Sequence, residues 1–476
     1  MQIPFINGAY LARSTNLNAQ RCVNLYAEKD ESGTGKNVAA LIGTPGTRLL
    51  VTLGGTGGIR GLWQPTTGDM IAVQGASVYR VSSAWVATLI GTIGSVTGPV
   101  SISDNGIVAV IVDGTNGYAI TLATSAFAQI TDPDFLGADL VDYLDDLFIF
   151  NRPNTQQFYI SGFGSTTFDA LDFASAEGSP DNIVSFIVDH RQLLIFGSES
   201  GEIFENTGNA DFPIERAGNV FIEQGCAAKF GVTKIDNTVF WIGGNKKGNG
   251  IIWRLDGARP ARISTHAIEF AIQGYSTIAD CIAYSYQQEG HSFVVFSFPT
   301  AGATWVFDAS TSLWHERAYL NPATGTLGRH RSNCHCFFNN EHVVGDWENG
   351  NLYALDLDYF TDNGDPLSRI RSAAHISSGD YKRIRFDALQ IDFEAGTGTQ
   401  TGQGVDPQAM LDWSDDGGHT WSNEHWKAIG KAGHYKDRVR WKRLGQGRDR
   451  VYRVTVSDPV KIAIISASSD AAGLTS

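Results

Sequence analysis

Apolar and polar positions alternate along most of this chain in short runs with a period near two. The stretch from His291 to Arg317, HSFVVFSFPTAGATWVFDASTSLWHER, shows the unit most clearly. Two alternating strands are joined by a Pro/Gly/Ala turn, and an Asp/Ser/Thr turn leads to a third short strand. One such unit cannot bury both of its faces, so it needs copies of itself. Related hairpins begin at Gln192, Thr238 and His342, and weaker ones at Ile71, Ile107 and Leu147; the mean spacing of the starts is about 45 residues, the period of a four-stranded propeller blade. A missing first strand stands before some of them, GVTKID ahead of Thr238 and DCIAYSY ahead of His291. A helical reading fails, because apolar residues do not recur at i, i+3 and i+4 and glycine interrupts every few positions. The pattern predicts a β-propeller over residues 59–374, of seven blades, or six if the Ile71 hairpin belongs elsewhere. One short helix is expected in STHAIEFAIQGYS, opened by a Ser/Thr cap and lying outside the ring.

Both ends of the chain depart from this pattern. Residues 1–58 read as an arm: a strand in RCVNLYAEKD, another in TPGTRLLVTL, then the glycine cluster 54–58 as a hinge. That cluster is not a phosphate loop, since no helix start and no Lys-Ser/Thr follows it. Residues 375–467 read as a β-sandwich, with KRIRFDALQIDFEAG as one long alternating strand. The arm and the sandwich are expected to form one platform domain, and residues 468–476 a flexible tail.

Composition agrees with an all-β class. The 476 residues include 53 glycines, 11% aromatic residues and only 18% charged ones, a turn-rich chain with ample core material. The net charge of -14 argues against a surface that grips nucleic acid throughout, because phosphate neutralisation needs a basic face. The charge is uneven: positions 366–461 hold 16 Lys/Arg against 12 Asp/Glu, leaving 20 and 38 elsewhere. The N-terminal residues lack the charged and apolar regions of a secretion signal, and no apolar run is long enough to span a membrane, so synthesis and folding in the cytosol are expected. Cys22, Cys226, Cys281, Cys334 and Cys336 have no framework spacing and are expected as buried reduced thiols.

Few motifs point to chemistry. Ser414, Asp416, Gly418, Thr420 and Trp421 fit the Asp-box S-x-D-x-G-x-T-W, a hairpin device in which the carboxylate caps turn N–H groups and the tryptophan packs beneath. The box recurs in sialidase propellers, so a glycan-binding or glycan-hydrolysing protein is the alternative, with a generic propeller scaffold as another. Against hydrolysis, there is one box only, it lies outside the hairpins, and no arginine set accompanies a Tyr/Glu pair. Cys334, His335, Cys336 and His342 invite a zinc reading, but on a strand the two thiols face away from His335. Asp142, Asp145 and Asp146 lack a calcium-loop pattern and precede a strand, as turn acids do. No catalytic, cofactor-binding or metal-binding residue is assigned. Lys427–Arg453 carries ten Lys/Arg against two Asp. With period two, Arg438, Arg440 and Lys442 share one face, suited either to nucleic acid or, the favoured reading, to an acidic neighbouring subunit.

Taken together, RCVNLYAE with TPGT downstream, FGSESGEIFENTG, RISTHAIE, WVFDASTSLWHER, HVVGDWENGNLYALDLD, WSDDGGHTWS and DPVKIAII resemble the tail nozzle, or packaged-DNA stabilisation, proteins of short-tailed bacteriophages. That resemblance covers nearly the whole chain. It implies a structural virion component rather than an enzyme, a homo-oligomeric ring of six copies below the portal and its adaptor. Such a ring meets tail fibre or spike proteins, closes or extends the DNA exit channel, and lets duplex DNA pass without reading its sequence. It also implies a propeller with a platform built from both chain ends, and no catalytic residue to carry over.

Overall fold

In the computed structural model, which describes every residue except Ala210, Lys246, Lys247 and Ser476, the seven hairpins read from the sequence are the two middle strands of seven antiparallel sets. Six of these sets stand as separate sheets. The set running from Ile282 to Glu316 continues into the platform. The middle strands are covered by neighbouring blades on both faces, which is why His291–Phe298 is buried at every position and why these runs are more apolar than a half-exposed strand would be.

The first strands of the sets form the inner wall, and hydrogen bonds, most of them from side chains, stitch each to the next around the ring. Val100 N–H donates to Arg60 O at 3.3 Å, Ser101 Oγ meets Val141, and Val188 N–H donates to Asp142 at 2.7 Å. Lys234 Nζ reaches Val188 O, Thr233 meets Ser285 at 3.1 Å, and Tyr284 meets Ser332 at 2.6 Å. Asn333 Nδ2 donating to Ile59 O at 2.9 Å returns to the first blade.

Closure corrects one boundary. Gly46–Thr52, assigned above to the arm, is the outer strand of the last set and pairs with Asn351–Asp356, Tyr353 opposite Leu49. The glycine cluster that follows is therefore no hinge between arm and ring. It carries the chain from the outside of the last blade to the inside of the first, against Trp347, whose carbonyl oxygen lies 2.0 Å from where a Gly58 Cβ would stand.

The platform is two sheets face to face. One runs Val439–Lys442, Ile384–Phe393, Ala463–Gly473, Ala39–Gly43, Leu25–Lys29; the other runs Cys22–Val23, Arg369–Ser372, Asp449–Val456, Gln408–Ser414, His425–Ala428. Leu41, Leu389, Ile391, Leu411, Val454 and Ile464 belong to the same buried cluster. Glu316 pairs with Val23 in parallel, joining blade and platform. Residues 468–473, expected to be flexible, extend the last strand along Ile384–Phe393 to Gly473, and Gln2 pairs with Ser468. A ladder made by backbone groups needs no apolar side chains, so the small polar composition did not prevent pairing. The helix is His266–Gln273, capped by Thr265, whose side chain accepts from Ile268 N–H. No helix among the described residues is long and apolar enough to cross a membrane.

Candidate assembly interface

The Asp-box joins Gln408–Ser414 to His425–Ala428 in the platform. Asp416 accepts from the N–H groups of His419 and Thr420 at 3.0 and 2.9 Å and from Thr420 Oγ1 at 2.6 Å, while Ser414 Oγ donates to it at 2.7 Å. These donors hold the carboxyl well below the usual carboxylate range. Gly417 and Gly418 take φ of +76° and +91°, a left-handed region that a side chain at either position would strain. The loop packs on the N-terminal arm: a Gly417 Cβ would collide with Asn16, and Thr15 Oγ1 lies 3.3 Å from His419.

The basic segment divides into cations turned inward and cations turned out. Arg450, buried, forms a fork with Asp415 at 2.7 Å and donates to Leu444 O. Arg453 pairs with Asp412 and lies 3.9 Å from the Trp421 ring centroid, so the tryptophan of the box packs under a guanidinium. On Val439–Lys442 burial alternates, Val439 and Trp441 in, Arg440 and Lys442 out. Arg438 is exposed too, so the three share the outer face as the period predicts. Among the described residues the Arg440 side chain pairs with the exposed Asp470. Beside this strand runs a groove of about 600 Å³ lined by His425, Trp426, Lys427, Arg440, Trp441 and Lys442, with Trp426 58% exposed. Trp441 Nε1 donates to His425 O at 2.7 Å and fixes the two edge strands beside each other.

Opposite in character is a sector the sequence reading passed over. Residues 130–215, essentially blades three and four, hold 16 Asp/Glu and 2 Lys/Arg. That difference equals the whole net charge of -14, so cations and carboxylates balance over the remainder. A running count of charge against hairpin position would have found it.

The other candidate groups are used by the fold. Asp145 and Asp146 take φ of 46° and 68° in the turn before Leu147; Asp145 pairs with Arg191 and Asp146 accepts from Tyr143. Burial pushes the Asp142 carboxyl up, opposed by the Val188 and Tyr143 N–H groups. The five cysteines are free. Burial raises the Cys334 thiol to about 12, and His335, held at about 3 by burial and by His342, stacks on His342. Among the described residues no three His, Cys, Asp or Glu side chains converge as a metal site. The first strands of the blades surround two adjoining pockets on the propeller axis, one of about 320 Å³ lined by Trp63, Ile102, Phe186 and Tyr284 among others and one of about 710 Å³ lined by Arg60, Lys229 and Arg329 among others.

Two family models match in register with this architecture, the β-propeller of bacteriophage P22 Gp10 over residues 1–360 and the β-sandwich of the same protein over residues 370–472. The chain belongs to the bacteriophage P22 Gp10 family. It is a bacteriophage structural protein of the tail. No curated protein matches it. Among solved structures, the N-terminal domain of Nup159 is similar at 9% identity and TM-score 0.41, covering 70% of this chain and 97% of that one. The WD40 propeller of Doa1 is similar at 11% identity and TM-score 0.40, covering 65% and 98%. YCF48 bound to D1 peptide is similar at 11% and 0.41, covering 66% and 97%.

Proposed function

We propose that this protein is the tail nozzle. Copies of it form a ring, of about six by analogy with the family resemblance, that docks below the portal and adaptor, closes or extends the DNA exit channel, and retains the packaged genome until ejection. Tail fibre or spike proteins attach around it. The observation that carries the reading is the division of charge in a Gp10-family chain: an acidic pair of blades and an outward basic strand on the platform. An exit channel works best when it does not grip phosphate, since every neutralised contact must be broken for the genome to move and such contacts accumulate steeply. The duplex then runs along a wall contributed by several propellers. The basic platform strand serves attachment to protein.

The test is mass measurement of the purified protein mixed with portal complexes, together with particles assembled without it. The expected result is a discrete complex carrying a ring of copies, and particles that package DNA and then lose it. A protein that stays monomeric beside the portal complexes, or particles that retain genome without it, would overturn the reading.

A further inference from the structure

Four of the arginines in the interior show how this fold treats a buried guanidinium, and the fifth breaks the pattern. Arg60 donates to Gly75 O, Gly98 O, Ser95 O and Thr97 O, Arg371 to four oxygens of the N-terminal arm, Arg450 to Asp415 and Leu444 O, and Arg369 through Nη1 to two carbonyls, its Nε alone being without a partner among the described residues. Arg317 is 1% exposed, and among the described residues none of its three side-chain nitrogens has a hydrogen-bond partner of good geometry. Its guanidinium carbon lies 5.3 Å from the Tyr286 ring centroid and 5.2 Å from that of Phe293, and the His315 ring stands edge-on to the same Phe293 at 5.9 Å. His315 Nε2 is likewise buried and without a partner among the described residues, and the buried Tyr286 hydroxyl has none of good geometry, the Arg317 guanidinium being the group near enough to act on it.

We propose that Arg317, Tyr286 and His315 form an internal site for a small monovalent inorganic anion of the halide class, chloride in the cell. Arginine offers five N–H donors and no acceptor, and the tyrosine hydroxyl donates as well. Burial and the Arg317 charge hold His315 well below its ordinary value, so it is neutral and can present an N–H. A nearby carboxylate that acts on Tyr286, Asp308, is already occupied by His291 at 2.9 Å, Thr311 Oγ1 at 2.6 Å and Ser310 N–H at 3.0 Å. Water could satisfy the donors but would leave a buried positive charge uncompensated, which is the costlier part. Arg317 directly follows Glu316, which binds Arg21 of the arm at 2.8 Å. The ion therefore sits at the joint between the sixth blade and the platform.

The test uses the full chain. Crystals grown in sodium bromide should show an anomalous peak within hydrogen-bond distance of the Arg317 guanidinium. In a sodium gluconate background of constant ionic strength, the unfolding midpoint should rise with chloride concentration, and Arg317→Met should lose both the peak and the rise. Density at the site without anomalous signal, or no density there, would overturn the proposal, as would a chloride shift that survives in the variant. If Arg317→Met does not fold, the bromide map of the unaltered protein decides alone.

Discussion

Arg371 Nε donates to the carbonyl of Phe5 at 2.7 Å across 366 residues of chain. The same guanidinium donates to Gly8 O, Arg21 O and Gln20 Oε1, so one fully buried side chain on a platform strand fixes the path of the N-terminal arm. Burial pulls its pKa down, but a guanidinium remains charged, and the arm's oxygens replace the water it lost.

Arg371→Met should therefore lower stability by about 3 kcal/mol, through buried acceptors left without donors. Urea unfolding measures it, and limited proteolysis should cut the variant between residues 5 and 21, where the unaltered protein resists. An unchanged midpoint together with an intact arm would show that the strand pairings alone hold the arm.

How much of this was legible follows from range. The hairpins could be read because each is a local period-two pattern with its own turn, and the Asp-box because five residues within eight positions make the whole device. The strand TRLLVTL was legible as a strand, yet nothing in it says that its partner is Asn351–Asp356 rather than the platform; pairing at that separation is decided by ring closure. The last strand was misread because its contribution comes from backbone groups, to which composition is blind. Charge counting likewise does not separate Arg450 and Arg453 from the surface cations of the same segment, whereas Asp415 and Asp412, some 35 and 41 residues earlier, draw them inward.

Asp416→Ala should loosen the box hairpin and lower the thermal midpoint, since the donors around the carboxylate lose their acceptor. The folded pKa is depressed, so this contribution is present above the unfolded value and is lost as pH falls through the folded one; at neutral pH it is complete. No hydrolytic activity should accompany it. Hydrolysis of a sialoside by the unaltered protein, abolished in the variant, would turn the structural account of the box into a catalytic one.

Asp362 should give the opposite pH dependence. Burial pushes its carboxyl up to about 7, against the pull of Thr47 and of Arg369, and its second oxygen has no hydrogen-bond partner among the described residues. Between about pH 4 and 7 the folded state keeps a proton that the unfolded chain releases, so stability falls as pH rises through that window and levels above it. Asp362→Asn removes this slope and should gain about 1–3 kcal/mol at pH 7 relative to the unaltered protein. Urea midpoints at pH 5 and pH 7.5 decide: equal differences between variant and parent at both values would mean that the carboxyl is ionised in the folded state throughout.

The final prediction concerns the outward strand of the platform. Arg438, Arg440 and Lys442 are exposed side by side, and Asp470 is an intramolecular partner of Arg440 alone, itself at the surface. If the strand meets an acidic surface on a neighbouring copy or on the adaptor, while Asp, Glu and neutral polar residues of the propellers line the channel, reversing all three charges to glutamate should abolish assembly onto the portal. The fold should survive, because none of the three is part of the core and exposed ion pairs contribute little to stability. Circular dichroism and the unfolding midpoint check the fold, and the mass of the portal complex checks assembly. A triple variant that assembles normally yet loses salt-dependent binding to duplex DNA would identify the strand as a grip on the genome.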